Sequence, residues 1–350
     1  MHIIKTALLS YGMSGKIFHA PFIAAHPGFQ LAGAWERNSK KIQEDYPSVI
    51  SYPSLAAILA DETIELVIVN TPNDTHYDYA QQVLLAVKHV VVEKAFTTTV
   101  EEGRALKALA EKQNKKISVY QNRRFDSDLR SVQKVINDNL LGEIIEAEFH
   151  YDRFKPVIGP KQHKENPGPG AGLLMDLGPH LIDEAVTLFG MPKAVFADIR
   201  ITRPLSKVDD WFDILLYYPT LRVTLKASNI VREAIPANIV HGIKGSFLKA
   251  RANVQEADLL AGKKPGEPSW GIEPESGWGL LHTESGGAVL RENIPSSRGN
   301  YGDYYEGVYQ ALTTNQPMPV SADEGISIIL IIEAAIKSSK EQRVVELVLN

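Results

Sequence analysis

The chain of 350 residues contains no cysteine. Disulfides, thiolate nucleophiles and cysteine-ligated zinc or iron–sulfur clusters are therefore excluded. No stretch approaches the roughly 20 apolar residues that a membrane span needs. There is no long basic run either, and a net charge of −5 gives no electrostatic case for nucleic acid. The start, Met1-His2-Ile3-Ile4-Lys5-Thr6-Ala7-Leu8-Leu9-Ser10, is too short and too weakly charged for a signal peptide and reads as a first buried strand. Neither an H-E-x-x-H pattern nor a close histidine pair occurs, so no metal site is expected. What remains is ordinary for a globular protein: 44% hydrophobic and 23% charged residues, in a length that suits two domains. These features lead to the expectation of a cytoplasmic enzyme or binding protein.

A nucleotide site is legible near the amino terminus. The first strand runs into Ser10-Tyr11-Gly12-Met13-Ser14-Gly15, followed by a helix that Pro21 is expected to cut short. Against the G-x-G-x-x-G turn, Ser10 stands at the first glycine, while Gly12 and Gly15 hold the second and third places. The second glycine lets backbone approach a pyrophosphate, and the third lets helix and strand pack closely. Amides at the helix start, at Met13 and Ser14, would face the phosphates. A second strand, 29–35, ends at Glu36-Arg37-Asn38, where an acid would grip the adenosine ribose. Arg37 could instead sit against a 2′-phosphate, so both NAD and NADP stay open.

The apolar strand at 66–69 and its proline turn, Thr71-Pro72-Asn73, would place a loop against the cofactor. A helix over 78–86, a strand at 89–93, a helix over 100–113 and a strand at 117–121 continue the alternation. Such alternation implies right-handed crossovers and a parallel sheet. A doubly wound dinucleotide-binding domain is thus expected over residues 1–121.

Two short stretches carry the chemistry. Val91-Val92-Glu93-Lys94-Ala95-Phe96 puts a lysine at the carboxyl end of an apolar strand, where open α/β sheets gather ligands. Gly172-Leu173-Leu174-Met175-Asp176-Leu177-Gly178-Pro179-His180 puts an aspartate and a histidine four apart, on one face of a helix. Hydride transfer to a carbonyl leaves negative charge on oxygen. Lys94 can meet that charge, His180 can carry the proton, and Asp176 can orient the ring or bind a substrate hydroxyl. A plainer reading makes Lys94 a surface lysine, Asp176 a helix N-cap with Pro179 in the first turn, and His180 exposed beside a stripe of Leu177, Leu181 and Leu188. Asp183 and Glu184 then cap polar neighbours or face solvent.

These residues resemble the glucose–fructose oxidoreductase, inositol dehydrogenase and MocA family of NAD(P)-dependent enzymes, over nearly the whole chain. The family's glutamate–lysine–proline triplet stands here as Glu93-Lys94-Ala95. Thr71-Pro72-Asn73 with His76 resembles the loop after its third nucleotide-domain strand. Gln121-Asn122-Arg123-Arg124-Phe125 resembles its crossover, and Gly170-Ala171-Gly172 precedes Asp176 and His180. Phe18-His19-Ala20-Pro21, Tyr151-Asp152-Arg153-Phe154, Gly245-Ser246-Phe247-Leu248-Lys249 and Gln255-Glu256-Ala257 look most like the scyllo-inositol dehydrogenase-like branch.

The resemblance implies cofactor contacts at Ser10, Gly12, Met13, Ser14, Gly15, Glu36, Arg37, Thr71, Pro72, Asn73, His76, Glu93 and Lys94. It implies catalysis by Lys94, His180 and Asp176, with Asn122, Arg123, Arg153 and His163 as further substrate contacts. Arg123 and Arg124 could equally form ion pairs between domains.

Beyond Asn122 the alternation stops. A helix near 128–139 precedes extended segments at 143–154, 194–202, 209–218, 221–229 and 239–248, with a glycine-, proline- and tryptophan-rich excursion at 262–279. Residues 122–350 are expected to form an α+β substrate domain with a large, mainly antiparallel, open-faced sheet. The resemblance implies that its open face mediates a homodimer or homotetramer.

The expected activity is hydride transfer between a nicotinamide and a secondary alcohol or ketone of a small sugar or polyol. A non-catalytic dinucleotide-sensing regulator and an NAD-using glycosidase share the architecture and stand as alternatives.

Overall fold

Short, largely apolar strands separated by helices dictate the first part of the structure. A computed structural model describes residues 2–36, 39–160 and 162–348, apart from the side chains of Gln162, His163 and Ser285. The chain divides into two units: Met1–Asn122 with Gln255–Trp270 and Asn300–Ile326, and Arg123–Val254 with Gly271–Gly299 and Ser327–Asn350. Residues 255–270 and 300–326, expected in the second domain, thus pack with the first.

In the first unit, β1 (Ile4–Leu8), β2 (Phe29–Trp35), β3 (Ile50–Tyr52), β4 (Leu66–Val69), β5 (His89–Glu93) and β6 (Ile117–Tyr120) form one sheet in the order β3-β2-β1-β4-β5-β6. Every pairing is parallel. Leu66, Val67, Ile68 and Val69 are wholly buried, as expected of a strand covered on both faces. The crossovers carry α1 (Ala20–Ala25), α2 (Lys41–Asp45), α3 (Leu55–Ala60), α4 (His76–Leu85) and α5 (Val100–Lys112).

Thr99 and Glu102 close a capping box at the start of α5. Pro21 does not cut the first helix short. Residues Ser14–His19 wind as a π-helix, and Pro21 sits in the first turn of α1, where a missing amide loses no intrahelical bond. The strand order reverses at the β1/β4 junction, so the loops after these strands flank the crevice where such sheets bind ligands.

The second unit is built on β7 (Ile144–Asp152), β8 (Ala194–Arg200), β9 (Trp211–Tyr217), β10 (Arg222–Ser228), β11 (Asn238–Gly242), β12 (Gly245–Lys249), β13 (Gly279–Ser285), β14 (Ala288–Ile294) and β15 (Val345–Glu346). They form a nine-stranded sheet in the order β14-β13-β12-β11-β7-β10-β9-β8-β15. Only β7 and β10 run parallel, so the sheet is mixed but mainly antiparallel.

The strand expected at 239–248 is two strands joined by a tight turn. The hairpin β13–β14 was not anticipated, because its glycines and charges hide any alternation. α6 (Ser127–Asn137), the short α7 (Gln162–Glu165) and α8 (Leu173–Phe189) complete this part, and α8 packs on β10, β7 and β9. Later, α9 (Val254–Leu260) and α10 (Gly302–Thr314) return almost wholly to the first unit, and α11 (Ala322–Glu341) belongs to the first unit up to Ile326. Among the described residues, no helix is long and apolar enough to cross a membrane.

Candidate active site

The glycine-rich turn follows β1. A Cβ on Gly15 would lie 2.2 Å from the Ser10 carbonyl oxygen and 2.9 Å from Asn70 Nδ2, so only glycine lets this helix approach the strand end. Gly12 is different. A Cβ there would touch only Ser10 Oγ, at an ordinary 3.4 Å, and the residue is exposed. Its backbone is bare toward solvent, as close approach of a pyrophosphate requires.

Ser10 replaces the first glycine by bracing the turn. Its hydroxyl accepts the Gly12 amide at 3.1 Å, while its own amide and carbonyl pair with the Asn70 side chain at 3.0 and 2.8 Å. No side chain of Met13 caps the helix start. The donor set therefore fits a dinucleotide.

Glu36 is arranged differently from the expectation that it grips a ribose. Its carboxylate accepts the backbone amides of Lys41 and Ile42 at 3.0 and 3.2 Å and hydroxyls of Ser39 and Ser51 at 3.3 Å. It serves the amino terminus of α2, where backbone amides lack intrahelical partners. Arg37 lies outside the described residues. Tyr11, within the glycine turn, donates to Asp45 at 2.8 Å and so ties the turn to the far end of α2.

The loops after β4 and β5 are joined by one buried ring. His76, expected at the cofactor, is completely buried, with Nδ1 2.7 Å from the Ala95 carbonyl and Nε2 2.9 Å from the Thr71 carbonyl. Burial pushes its pKa down. His76 thus holds the two loops, while Thr71, Pro72 and Asn73 remain at least partly exposed.

Lys94 follows β5 directly, and the Lys94–Ala95 peptide is cis. Glu93 turns back beneath it. Its carboxylate accepts the Lys94 amide at 3.1 Å, the Ser14 hydroxyl at 2.5 Å and His19 Nε2 at 3.0 Å. Burial would raise this carboxyl, but the hydrogen bond and charge of His19 outweigh it and hold it down at about 2. Ser14 and Glu93, both expected at the cofactor, spend these side-chain groups on each other.

In the second unit, α8 begins at Leu173 after Gly172, whose φ of +89° suits glycine. The N-cap reading of Asp176 is corrected here: Asp209 provides that service, accepting the Leu174 amide at 2.6 Å. Asp176 lies inside the first turn, with Lys164 donating to one oxygen at 2.6 Å and Arg153 3.5 Å from the other. Pro179 lies inside the helix, beyond the first turn.

His180 is not exposed as the plainer reading held; it is 6% accessible. The Tyr151 ring centroid lies 6.4 Å from that of His180, and the guanidinium groups of Arg153 and Arg251 each lie 4.9 Å from the Tyr151 centroid. Asp183 and Glu184 are buried, not solvated. Arg124 forks onto Asp183, and Arg251 bridges Glu184 and Asp128. One guanidinium shared by two carboxylates does not offset burial, and the Glu184 carboxyl is pushed up to about 7.

Of the remaining expectations, Asn122 is buried at the end of the first unit, and Arg123 is buried with its guanidinium on Asp126 and Asn253. The Arg124–Asp183 pair lies within one unit, not between two. His163 sits in α7, but its side chain lies outside the description. Lys164 was overlooked; its position next to His163 was the available signal. Arg251 and Asp209 carried no local signal, since their partners lie far away in sequence. Among the described residues no group of three or more histidines, aspartates or glutamates could hold a metal.

A parallel sheet in this order with a bare glycine turn at its switch point defines a dinucleotide-binding unit, coupled to a sheet-based second unit that carries an Asp–His helix. Comparison with known proteins gives the class a family. Residues 4–121 match the oxidoreductase family's NAD-binding Rossmann fold, and residues 133–347 match its C-terminal alpha/beta domain. A scyllo-inositol 2-dehydrogenase (NADP(+)) of Bacillus subtilis is 38% identical over 344 residues, 98% of this chain and 96% of that one. A Bacteroides fragilis crystal structure assigned as an oxidoreductase superposes with a TM-score of 0.91 at 44% identity, covering 99% of this chain and 100% of that one. Another, from Bacillus subtilis, gives 0.96 at 37% identity, with 99% of each chain covered. The chain belongs to the glucose–fructose oxidoreductase, inositol dehydrogenase and MocA family, and it is an NAD(P)-dependent dehydrogenase or reductase.

Proposed function

We propose that the chain oxidises a secondary hydroxyl of an inositol-like polyol, or reduces the matching ketone, with NADP(H). The observation that carries this reading is the Asp–His helix, with Asp176 held between Lys164 and Arg153 and the His180 ring beside Tyr151. An aspartate flanked by cations is suited to hold one hydroxyl while a flanking ammonium donates to the next, and polyols offer such neighbouring hydroxyls. The Bacillus subtilis relative, a scyllo-inositol 2-dehydrogenase, supports the same class of substrate.

The nicotinamide, when bound, takes up or returns the hydride. Lys94 stabilises the charge on the substrate oxygen, His180 carries the proton, and Asp176 fixes a neighbouring hydroxyl. Gly12 admits the pyrophosphate, with Met13 and Ser14 offering amides. Domain limits near residue 121 and association of copies through the β8–β9–β10 face belong to the same reading. That face presents the half-exposed Trp211, Leu215 and Tyr217 among Arg200, Arg222 and Lys226.

Glu36 supports NADP over NAD. A carboxylate occupied by the α2 amides is not held out for a ribose diol, and its charge is partly met before a 2′-phosphate arrives. Titration calorimetry tests this. NADP should bind at least about tenfold more tightly than NAD, a difference of about 1.4 kcal/mol. Tighter binding of NAD would overturn the cofactor assignment.

A further inference from the structure

Behind Lys94 runs a buried polar chain from His19 and Tyr305 to Glu93. His19, the last residue of the π-helix that follows the glycine-rich turn, has a completely buried side chain. Its Nδ1 lies 2.6 Å from the Tyr305 hydroxyl and its Nε2 lies 3.0 Å from Glu93 Oε1. Tyr305 comes from α10, more than two hundred residues later, and is itself completely buried. Burial pushes the Tyr305 phenol well up, so it keeps its proton.

The Tyr305 hydroxyl is paired with Nδ1, Nε2 donates to Glu93, and the ionised Glu93 also accepts from Ser14 and the Lys94 amide. Tyr120 packs 4.4 Å from the His19 ring, and Tyr304 packs against Tyr120 and Tyr305. The titratable groups around His19 and Glu93 include Tyr120, Tyr304, Tyr305, Lys94 and His76. Such a hydrogen-bonded network holds one geometry.

We propose that His19 and Tyr305 are positioning residues for Lys94, acting through Glu93; this rests on the role assigned above to Lys94. The chain sets the backbone at Lys94, because Glu93 accepts the Lys94 amide. It also fixes a negative charge beside the lysine, and by Coulomb attraction that charge favours the ammonium form. Lys94 then acts as a standing cation at the substrate oxygen, leaving proton transfer to His180. Because Glu93 also holds the Ser14 hydroxyl, one carboxylate ties the nucleotide turn to the lysine.

The test uses Tyr305→Phe and Glu93→Gln in the full chain, with two readouts. The first is turnover of an inositol with saturating NADP. Tyr305→Phe should lower kcat about five- to tenfold, the size of one lost buried hydrogen bond, while the NADP Kd stays within about twofold. Glu93→Gln should move the alkaline limb of the kcat profile to lower pH.

The second readout does not depend on turnover: competitive acetylation of Lys94 across pH, read by mass spectrometry. In Glu93→Gln the lysine should become reactive at lower pH than in the wild type. Variants that melt earlier but keep wild-type kcat, alkaline limb and Lys94 titration would show that the chain only packs the interior, and the proposal would fail. A wild type that turns over no polyol would sink the functional reading. The acetylation titration would still decide the role of the chain: a shift supports it and an unchanged titration overturns it.

Discussion

Two glycines three residues apart should fail in opposite ways when each becomes alanine. At Gly15 the new methyl would lie 2.2 Å from the Ser10 carbonyl oxygen and 2.9 Å from Asn70 Nδ2. That is roughly 1 Å inside a normal contact, and the obstruction is backbone, which cannot rotate away. The helix must shift off β1 and strain the Asn70–Ser10 pair, at a cost of about 1–3 kcal/mol, the usual range for overpacking. At Gly12 the methyl would meet only Ser10 Oγ at 3.4 Å. The fold should barely respond, within about 0.5 kcal/mol.

That same methyl points from bare backbone where the pyrophosphate must approach, so NADP affinity should fall at least about tenfold. Denaturant unfolding followed by fluorescence measures the first quantity, and titration calorimetry the second. Gly12→Ala binding NADP with wild-type affinity would refute the placement of the pyrophosphate. Gly15→Ala with wild-type stability would refute the packing argument.

His180→Ala should lower turnover by roughly 10²–10⁴, the range for a lost general acid or base, with cofactor affinity little changed; steady-state kinetics and calorimetry check both. Asp176→Asn should raise KM for the polyol without lowering thermal stability, because Asp209 rather than Asp176 caps α8; a fall in stability with unchanged KM would return Asp176 to a structural role. Glu93, with its carboxyl held down at about 2, stabilises the fold fully above about pH 4.5 and loses that contribution as pH falls toward 2. The stability difference between wild type and Glu93→Gln should therefore shrink over that window in acid unfolding, and a constant difference would contradict the ionised assignment.

The Rossmann strands were legible because three or four apolar residues in a row, bounded by turn residues, leave few other solutions. Leu66–Val69 and His89–Glu93 show this most plainly. The mainly antiparallel second sheet showed in alternating segments such as Trp211–Tyr217. What stayed hidden depends on distant partners. Asp209 caps a helix that begins more than thirty residues earlier, so the sequence around Asp176 invited the wrong cap.

Glu36 turned to α2 because that short helix follows it, and residues 41–60 show little periodicity from which to predict a helix. His180 is buried because the expected polar face of α8 is lined with Arg124, Arg251 and Tyr151, which meet Asp183, Glu184 and the histidine ring. The His19–Tyr305 contact joins residues at opposite ends of the chain. No local pattern could have announced it.

The most direct test of the account is reduction of NADP by wild type and Lys94→Met with saturating scyllo-inositol or a related inositol, alongside NADP binding by both. The account predicts turnover by the wild type and a loss of about 100-fold in the variant, about 2.7 kcal/mol of transition-state stabilisation, with NADP still bound. A wild type that binds NADP but reduces none of it with any inositol, other polyol or sugar would contradict the account and favour a dinucleotide sensor. Equal turnover by the two proteins would remove Lys94 from the mechanism.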